Sequence, residues 1–293
     1  MKVIGIDMGG TNIRAGIINE QGKVFCKIHD YTPKSPNQIL TKIHKMINHL
    51  NHYIKGSARA ISLAIPGIIH PKSSEVLHAG DTVEGWKNVN VKQYLSKKHS
   101  LPIFVHNDVN MAALGISWVH RLENFVFISI GTGLGGAVVK NGSIVTGHKG
   151  YVGEFGHTIL YPNGIPCGCG KKGCVEKYVS GLALNEQAKK INSNWTSYHL
   201  IEEYLLGNEQ AKQRINEFTM HLSIVLVNLY LIMEPSLFVI GGGLGETYIH
   251  WREMLHNNIE KLGYRHLINI YLSEKIDDIG MIGSAKYAID SLK

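Results

Sequence analysis

Apolar positions along the chain follow two periods, one typical of strands and the other of helices. The segments 2–7, 60–65, 125–130 and 237–240 are short and nearly continuous in apolar residues, as buried strands are. Elsewhere apolar residues recur every three or four positions, which predicts helices over 37–53, 91–99, 111–119, 179–191, 200–206, 210–231, 251–262 and 281–292. Shorter strands are predicted at 13–19, 24–29, 102–105 and 269–272, so the pattern indicates a mixed α/β fold.

A strand that runs into a glycine turn and returns as a second strand occurs twice, as I-G-I-D-M-G-G-T-N-I-R-A-G-I-I and as F-I-S-I-G-T-G-L-G-G-A-V-V. The tip of such a hairpin exposes backbone N–H groups, which suit phosphate. One glycine turn alone is more often structural, but two on matching strands indicate two similar domains that face each other across a cleft. In the first copy Asp7 ends the strand, where it can hold a metal-bound water, and Thr11 and Asn12 offer side-chain hydrogen bonds.

Three other strand ends are candidates for ligand contacts. The strand 60–65 stops at Pro66 and Gly67, a terminus typical of a cleft wall. The strand 237–240 runs into G-G-G, where a flat ring such as adenine can lie against bare backbone. The loop between the first of these strands and the next helix contains Asp81 and Trp86, which fit either a ligand contact or a solvated loop with one anchoring aromatic.

The segment H-N-D-V-N stands where the strand 102–105 gives way to a helix. A carboxylate at a helix N-terminus is well held and its charge is favoured there. Asp108 is therefore our candidate for a catalytic base, while the alternative is that it only caps the helix.

Three of the four cysteines lie in one glycine-rich stretch, C-G-C-G-K-K-G-C, that begins at Cys167. Cys167, Cys169 and Cys174, with His157 as a fourth ligand, form a donor set typical of a structural zinc site. The alternatives are a loop of reduced thiols, or one disulfide with a spare thiol. Because Glu154 and Glu176 bound this stretch, the metal would fix carboxylates rather than perform chemistry.

Charge and composition exclude few classes of protein, but they make some classes more favourable than others. The 293 residues carry 30 Lys and Arg against 23 Asp and Glu, a net charge of +7, yet the basic residues are scattered, which makes nucleic-acid binding a weak interpretation. Neither a leader peptide nor an apolar run of bilayer length is evident, so we expect a cytoplasmic protein. Clustered cysteines in that reducing compartment favour metal over disulfides, and Cys26 is expected to be an ordinary half-buried residue.

The motifs D-M-G-G-T-N-I-R, N-D-V-N, G-T-G-L-G-G, G-E-F-G-H, C-G-C-G-K-K-G-C-V-E and G-G-G, in this order across nearly the whole chain, resemble those of the ROK sugar kinases. The resemblance implies cytosolic, ATP-dependent hexose kinases with a two-domain actin-like (ribonuclease H-like) fold and an inter-domain cleft. The expected lobes are 1–118 plus 279–293, with the first phosphate hairpin and Asp108, and 119–278, with the second phosphate loop, the zinc loop and the nucleoside site. It also implies a homodimer.

The resemblance assigns roles residue by residue. Residues expected to handle ATP with Mg²⁺ are Asp7, Gly9, Gly10, Thr11, Asn12, Gly131, Thr132, Gly133, Leu134, Gly135, Gly136, Gly241, Gly242 and Gly243. Residues expected at the sugar are Pro66, Gly67, Asn107, Asp108, Glu154, His157 and Glu176. His157 would bind Zn²⁺ through one ring nitrogen and face the sugar with the other.

The identity of the sugar stays open at this stage. Many glucose-specific family members carry Asn-Leu in the loop before a Trp, whereas this chain has A-G-D-T-V-E-G-W, and its C-terminal half also resembles N-acetylmannosamine kinases. We expect ATP-dependent phosphorylation of a hexose or N-acylhexosamine at the 6-hydroxyl. Two alternatives from other classes are a sugar sensor without turnover and a sugar-responsive repressor, although only six residues precede Asp7 where repressors carry a DNA-binding domain.

Overall fold

The computed structural model describes residues 1–79 and 83–293 and has the mixed α/β architecture that the pattern predicts. Its strands are β1 (Lys2–Met8), β2 (Asn12–Asn19), β3 (Val24–Tyr31), β4 (Ala60–Ile65), β5 (Ile68–Ile69), β6 (Val76–His78), β7 (Ile103–Asn107), β8 (Phe125–Ile130), β9 (Leu134–Lys140), β10 (Ser143–Ile144), β11 (Leu237–Gly241) and β12 (Ile270–Leu272). Its α-helices are α1 (Pro36–Tyr53), α2 (Val91–Ser96), α3 (Asp108–His120), α4 (Gly181–Lys189), α5 (Ser197–Leu205), α6 (Glu209–Met233), α7 (Tyr248–Lys261) and α8 (Ile279–Ser291).

The contacts between Cα atoms divide the chain into two units. The first comprises 1–123, 137–152 and 276–293, and the second comprises 124–136 and 153–275. The first unit therefore also takes in 137–152, a segment that the expected lobes assign to the second. Asp81 lies outside the described residues.

The first unit is built on a sheet with the strand order β3-β2-β1-β4-β7. Strand β1 pairs antiparallel with β2 and parallel with β4, and β4 pairs parallel with β7. Both faces of β1 are covered: Ile4 and Ile6 belong to a cluster with α1, while Val3 belongs to another with α8. Burial on both faces explains why β1 is a continuous apolar run rather than an alternating one.

The second unit contains the strands β8, β11 and β12 of a sheet with the order β10-β9-β8-β11-β12. Strand β11 is parallel to both of its neighbours. The helices α4 to α7 complete this unit, and α6 packs against α4, α5 and α7. A buried aromatic contact, Phe218 against Trp251 with ring centroids 5.4 Å apart, joins α6 to α7.

Helix α6 corrects the expectation that the chain contains no apolar stretch of bilayer length. It is long and apolar enough to cross a membrane by length and composition, with a mean hydropathy of 1.4 over its most apolar window. Half of that window is buried within the protein. A core helix passes the same test, and the buried residues of α6, among them Ile215, Leu222 and Leu226, indicate that α6 is one.

Most predicted elements are present with shifted ends. The apolar residues that recur at helical spacing along α1 are all buried, namely Ile39, Leu40, Ile43, Met46, Ile47 and Leu50. Helix α2 ends at Ser96 instead of 99, because Lys97 already caps it. The short antiparallel pair β5 and β6 was not expected, since two- and three-residue strands leave no periodic signal.

Candidate active site

Three candidate segments of the first unit meet at one edge of its sheet. Asp7, the Pro66–Gly67 pair and the Asn107–Asp108 pair lie at the carboxyl ends of β1, β4 and β7, which run parallel as neighbours. Asp7 is aligned with Ala64, and Ala64 with His106. With about 4.8 Å between strands, Asp7 is separated from the β7 end by roughly 10 Å. Carboxyl ends of parallel strands are where α/β proteins bind ligands.

Asp108 is not the cap of α3. Asn107 is the N-cap residue, since its Oδ1 accepts from the Asn110 N–H at 2.9 Å, and Asp108 is the first helical residue. The Asp108 carboxylate accepts from the Val109 N–H at 2.9 Å and from Asn107 Nδ2 at 3.1 Å. The N-cap role that was the alternative for Asp108 therefore belongs to Asn107, and the Asp108 carboxylate is held by its neighbours.

Asn107 links two of the strand ends. Its Nδ2 donates to the Gly67 carbonyl at 3.0 Å as well as to Asp108. Gly67 has a φ of +105°, and a Cβ there would lie 2.4 Å from the carbonyl oxygen of His78, so this position requires glycine. Because both Nδ2 hydrogens of Asn107 are used within the protein, the side chain can accept a hydrogen bond from a ligand but has no free hydrogen to donate.

The first glycine turn is closed by backbone bonds. The Gly9 N–H donates to the Asn12 carbonyl at 2.8 Å, and Thr32 Oγ1 donates to the Gly9 carbonyl at 2.8 Å. The Asn12 side chain lies against β3, with Oδ1 3.1 Å from His29 Nε2. Gly10 and Thr11 are exposed at the tip. The tip therefore offers backbone and hydroxyl groups to solvent, as a phosphate-binding turn requires.

Asp7 lies beside the first turn of α8, where a Cβ added at Gly280 would come within 2.9 Å of its carboxyl carbon. Burial raises the pKa of Asp7 to about 6, and the charge of Asp278 acts in the same direction, while Arg14 opposes both. Arg14 also donates to the Asp277 carbonyl. A carboxylate disfavoured by burial gains from a nearby cation, so Asp7 fits the expected Mg²⁺ environment.

The second unit brings together two glycine segments, the loop Gly131–Gly136 and the third glycine turn, Gly241–Gly243. Gly131 accepts from the Gly181 N–H at 2.8 Å, so α4 begins on the loop Gly131–Gly136. The third glycine turn lies against the same end of β8, because the Leu244 N–H donates to the Ile130 carbonyl at 2.9 Å. A Cβ at Gly242 would lie 2.6 Å from that carbonyl oxygen. The two segments thus share the end of one strand.

The four expected zinc ligands converge. The ligand atoms of His157, Cys167, Cys169 and Cys174 all lie within 4.8 Å of one another. Cys169 Sγ is 3.5 Å from Cys174 Sγ, and Cys167 Sγ is 3.8 Å from His157 Nδ1. Tetrahedral Zn²⁺ with Zn–S bonds of about 2.3 Å sets sulfurs roughly 3.8 Å apart, so this donor set fits zinc. All four cysteines of the chain are free thiols, which removes the disulfide alternative, and Cys26 is half-buried as expected.

Backbone geometry explains how the stretch aims its thiols. Gly170 and Gly173 have φ values of +84° and +75°, and a Cβ at Gly173 would overlap the Tyr161 carbonyl oxygen. The Cys167 N–H donates to the Lys171 carbonyl at 2.8 Å and closes the tight turn between the first two cysteines and the third. Burial raises the pKa of the Cys167 thiol, and its contact with Glu176 does the same. A thiol that resists ionisation becomes a good ligand when a cation compensates the charge of its thiolate.

Glu154 and Glu176 lie on either side of His157. Glu154 Oε2 is 4.0 Å from Nε2 of the ring, and Glu176 Oε1 is 3.6 Å from Nδ1 and 3.0 Å from Cys167 Sγ. Nδ1 therefore faces the cysteines and Nε2 faces Glu154. Burial raises the pKa of Glu154, with the charge of Glu176 adding to it and His157 opposing. A Cβ at Gly133 would lie 3.2 Å from Glu176 Oε2. The cysteine loop, residues 153–178, therefore lies against the second phosphate loop, Gly131–Gly136.

Sequence reasoning missed two neighbours of Asp7, namely Arg14 and Gly280. Arg14 lies opposite Asp7 in the β1–β2 pairing, whereas Gly280 lies on α8, far from Asp7 in the chain. Arg14 is a charged residue inside a strand that is otherwise buried, I-R-A-G-I-I, and that anomaly is a usable signal. Nothing in the sequence around Gly280 marks it.

Comparisons with known proteins place the chain in one family. The model of the ROK family matches residues 3–291. A glucokinase of Streptomyces coelicolor is 30% identical, over 97% of this chain and 96% of its own length, and an N-acetylmannosamine kinase of Haemophilus influenzae is 27% identical, over 100% and 97%. The crystal structure of a ROK family glucokinase from Streptomyces griseus, in complex with glucose and AMPPNP, superposes with a TM-score of 0.78 at 26% identity and covers 99% of this chain and 100% of that one.

The resemblance drawn from the motifs is confirmed by a family match over almost the whole length, and the mixed α/β fold is that of the two-domain actin-like class. The chain belongs to the ROK family.

Proposed function

We propose that this protein transfers the terminal phosphoryl group of ATP to the 6-hydroxyl of a hexose or an N-acylhexosamine. The observation that carries the proposal is the Asn107–Asp108 pair: a carboxylate in the first turn of α3, fixed through Oδ1 by Asn107 and the Val109 N–H at the carboxyl end of β7. Relatives named glucokinase and N-acetylmannosamine kinase, matched over 96% and 97% of their own lengths, support this class of reaction.

Asp108 acts as general base in the proposed reaction. The hydroxyl oxygen attacks the terminal phosphorus while its proton passes to the Asp108 carboxylate, and the bond to the bridging oxygen breaks, so that ADP leaves with the electron pair. Asn107 orients the carboxylate. Most of the rate enhancement comes from alignment and from neutralised phosphate charge, since phosphoryl transfer asks for little covalent assistance.

The glycine segments hold the nucleotide in this proposal. Gly9, Gly10 and Thr11 offer their backbone and hydroxyl groups to phosphate, as does the loop Gly131–Gly136, while Gly241–Gly243 lies at the nucleoside. Mg²⁺ bound near Asp7 would neutralise phosphate charge.

The cysteine loop serves the sugar. We assign Zn²⁺ to His157, Cys167, Cys169 and Cys174, where it fixes the imidazole so that Nε2 points to the side of Glu154. Glu154, His157 and Glu176, with Pro66, Gly67 and Asn107 of the first unit, are the proposed sugar contacts. The metal would then shape the site without taking part in the reaction.

The proposal extends to the lobes, the cellular location, the oligomeric state and the partners of the protein. The lobe that carries the first hairpin and Asp108 corresponds to the first unit, 1–123, 137–152 and 276–293, in place of the expected 1–118 plus 279–293, and the other lobe corresponds to the second unit in place of 119–278. We place the protein in the cytoplasm, as a homodimer, with a sugar and ATP as its partners.

An assay of ADP release tests the proposal. It supplies ATP and Mg²⁺ with each member of a panel of hexoses, N-acetylmannosamine and N-acetylglucosamine. We expect turnover with at least one sugar, and the ratio of kcat/KM values identifies it. Sugar binding by calorimetry without any ADP release would refute the kinase assignment in favour of a sensor. A product that migrates with a 1-phosphate standard would refute the 6-hydroxyl.

A further inference from the structure

Tyr198, in the first turn of α5, is a large aromatic residue to which no motif gives a role. Its side chain is 53% exposed although it lies in the second unit's helical layer. Its hydroxyl donates to the Gly243 carbonyl at 3.3 Å. A tyrosine that is anchored by its hydroxyl while its ring stays in solvent offers a flat apolar surface at a fixed position.

The backbone next to Tyr198 is unusually bare. Gly242, with a φ of +83°, lies against the end of β8, and Gly243 follows it. A Cβ added at Gly243 would meet one heavy atom within 4 Å among the described residues, the Tyr198 hydroxyl oxygen at 3.7 Å. The open space above this turn is therefore bounded by the tyrosine.

A second exposed apolar residue stands in the corresponding place on α4. Leu182 is 52% exposed, and its N–H donates to the Thr132 carbonyl in the second phosphate loop at 3.2 Å. Helices α4 and α5 pack against each other. The first turns of two adjacent helices thus each tie an exposed apolar side chain to one of the two glycine segments, a combination that suits a planar base attached to phosphates.

We propose that Tyr198 contacts the base of the bound nucleotide, which packs on the face of the phenol ring beside Gly242 and Gly243. The inference rests on the proposed function, because it takes the glycine segments as the nucleotide site. Tyr198 is then a specificity-determining residue that favours donors with a large flat base over donors that consist of phosphate alone.

The test compares two ligands by calorimetry in the presence of Mg²⁺: ADP, which has a base, and tripolyphosphate, which has none. We expect Tyr198→Ala to weaken ADP binding about tenfold or more, the usual effect of losing a base–aromatic stack, and to leave tripolyphosphate binding unchanged. Tyr198→Phe keeps the ring and should stay within about threefold of wild type. In turnover assays the KM for ATP should rise in Tyr198→Ala while the KM for the sugar does not.

Tyr53→Ala is the matched control, since Tyr53 is 64% exposed at the end of α1 in the first unit and should affect neither ligand. Equal ADP affinity of Tyr198→Ala and wild type would overturn the inference, and so would a parallel loss of ADP and tripolyphosphate affinity, which indicates a distorted turn. Wild-type protein that binds neither ligand would instead refute the proposed function. Circular dichroism melting of each variant verifies that it folds.

Discussion

At the scale of single residues, Asn107 takes the N-cap role that the sequence offered as the alternative to catalysis for Asp108. The cap of α3 is Asn107, so replacing Asp108 does not remove a cap. In Asp108→Asn the new amide oxygen can still accept from Asn107 and from the Val109 N–H. We therefore expect a folded variant that binds sugar within a few fold of wild type.

Turnover of Asp108→Asn should fall at least roughly a hundredfold, because an amide cannot accept the hydroxyl proton. Steady-state ADP release measures the loss, and sugar titration measures binding. Asp290→Asn, which changes an exposed carboxylate on α8, is the control and should keep full activity. A residual rate above about a tenth of wild type in Asp108→Asn would rule out the base assignment.

Asp7 and His106 lie on either side of β4 and make opposite contributions to stability with pH. Burial raises the pKa of Asp7 from 3.8 to about 6, so the folded state binds the extra proton and stability falls as pH rises from 4 to 6. Burial, assisted by the charge of Lys92, lowers the pKa of His106 from 6.5 to about 4. The unfolded state then binds the extra proton, and stability rises over the same interval.

The two contributions should nearly cancel in the wild type, each being about 2 kcal/mol after allowance for partial solvation. Replacing one of the two residues removes its contribution, so that the pH dependence caused by the other residue can be measured. Between pH 4 and pH 6, urea unfolding should show Asp7→Asn gaining stability with rising pH and His106→Phe losing it, while the wild type changes little. Parallel pH profiles for the three proteins would contradict this account.

At the scale of elements, the cysteine loop is held by α6 as well as by its own turns. The Tyr161 hydroxyl lies 3.0 Å from His221 Nε2 on α6, and the Tyr178 ring packs against both, at centroid distances of 5.0 and 5.4 Å. The Tyr178 hydroxyl accepts from the Ile165 N–H at 2.8 Å. The aromatic cluster thus connects the loop to a long, half-buried helix.

His221→Ala should lower the free energy of unfolding by about 1–2 kcal/mol, through the lost hydrogen bond and ring contacts. Zinc content should remain, because the four ligands are untouched, while the KM for sugar rises as Glu176 loses its fixed position. His250→Ala, an exposed change on α7, is the control. Loss of zinc from His221→Ala would show that the helix shapes the metal site itself.

Sequence reasoning was most successful for elements whose signal is local. The apolar face of α1 and the glycine turns are written in consecutive residues, and the zinc ligands are close together in the chain, so their spacing already limits what they can do. It was least successful where distant segments meet. The contact of Gly280 with Asp7 joins residues 273 positions apart in the chain, and the hairpin of β5 and β6 is too short to show a period.

Misassigned ends have a similar cause. The sequence could not decide which residue caps α3, because Asn107 and Asp108 are both good caps and stand side by side. Helix α6 has the length and composition of a membrane-spanning helix, but half of its most apolar window is buried within the protein, as in a core helix. Only packing partners distinguish the two, and these are tertiary information.

At the scale of the whole molecule, the chain passes several times between two units, and only the second contains the cysteine cluster. Because metal binding and local folding are coupled, removing the metal should loosen the second unit selectively. Hydrogen exchange followed by mass spectrometry resolves this by segment.

We expect a chelator, or Cys169→Ser, to increase hydrogen exchange in 153–178 and in the start of α4. The first residue of α4, Gly181, donates its N–H to the Gly131 carbonyl in the second phosphate loop. The strands β1 and β4 of the first unit should keep their protection, since their cores are formed by α1 and α8. Elemental analysis must show zinc in the wild type and its loss from the variant, together with a lower Tm. Cys26→Ser is the control, because that thiol belongs to the first unit and is not one of the four ligands. Unchanged exchange in 153–178 after verified zinc loss would mean that the loop holds its shape without the metal, and the structural role of zinc would be refuted.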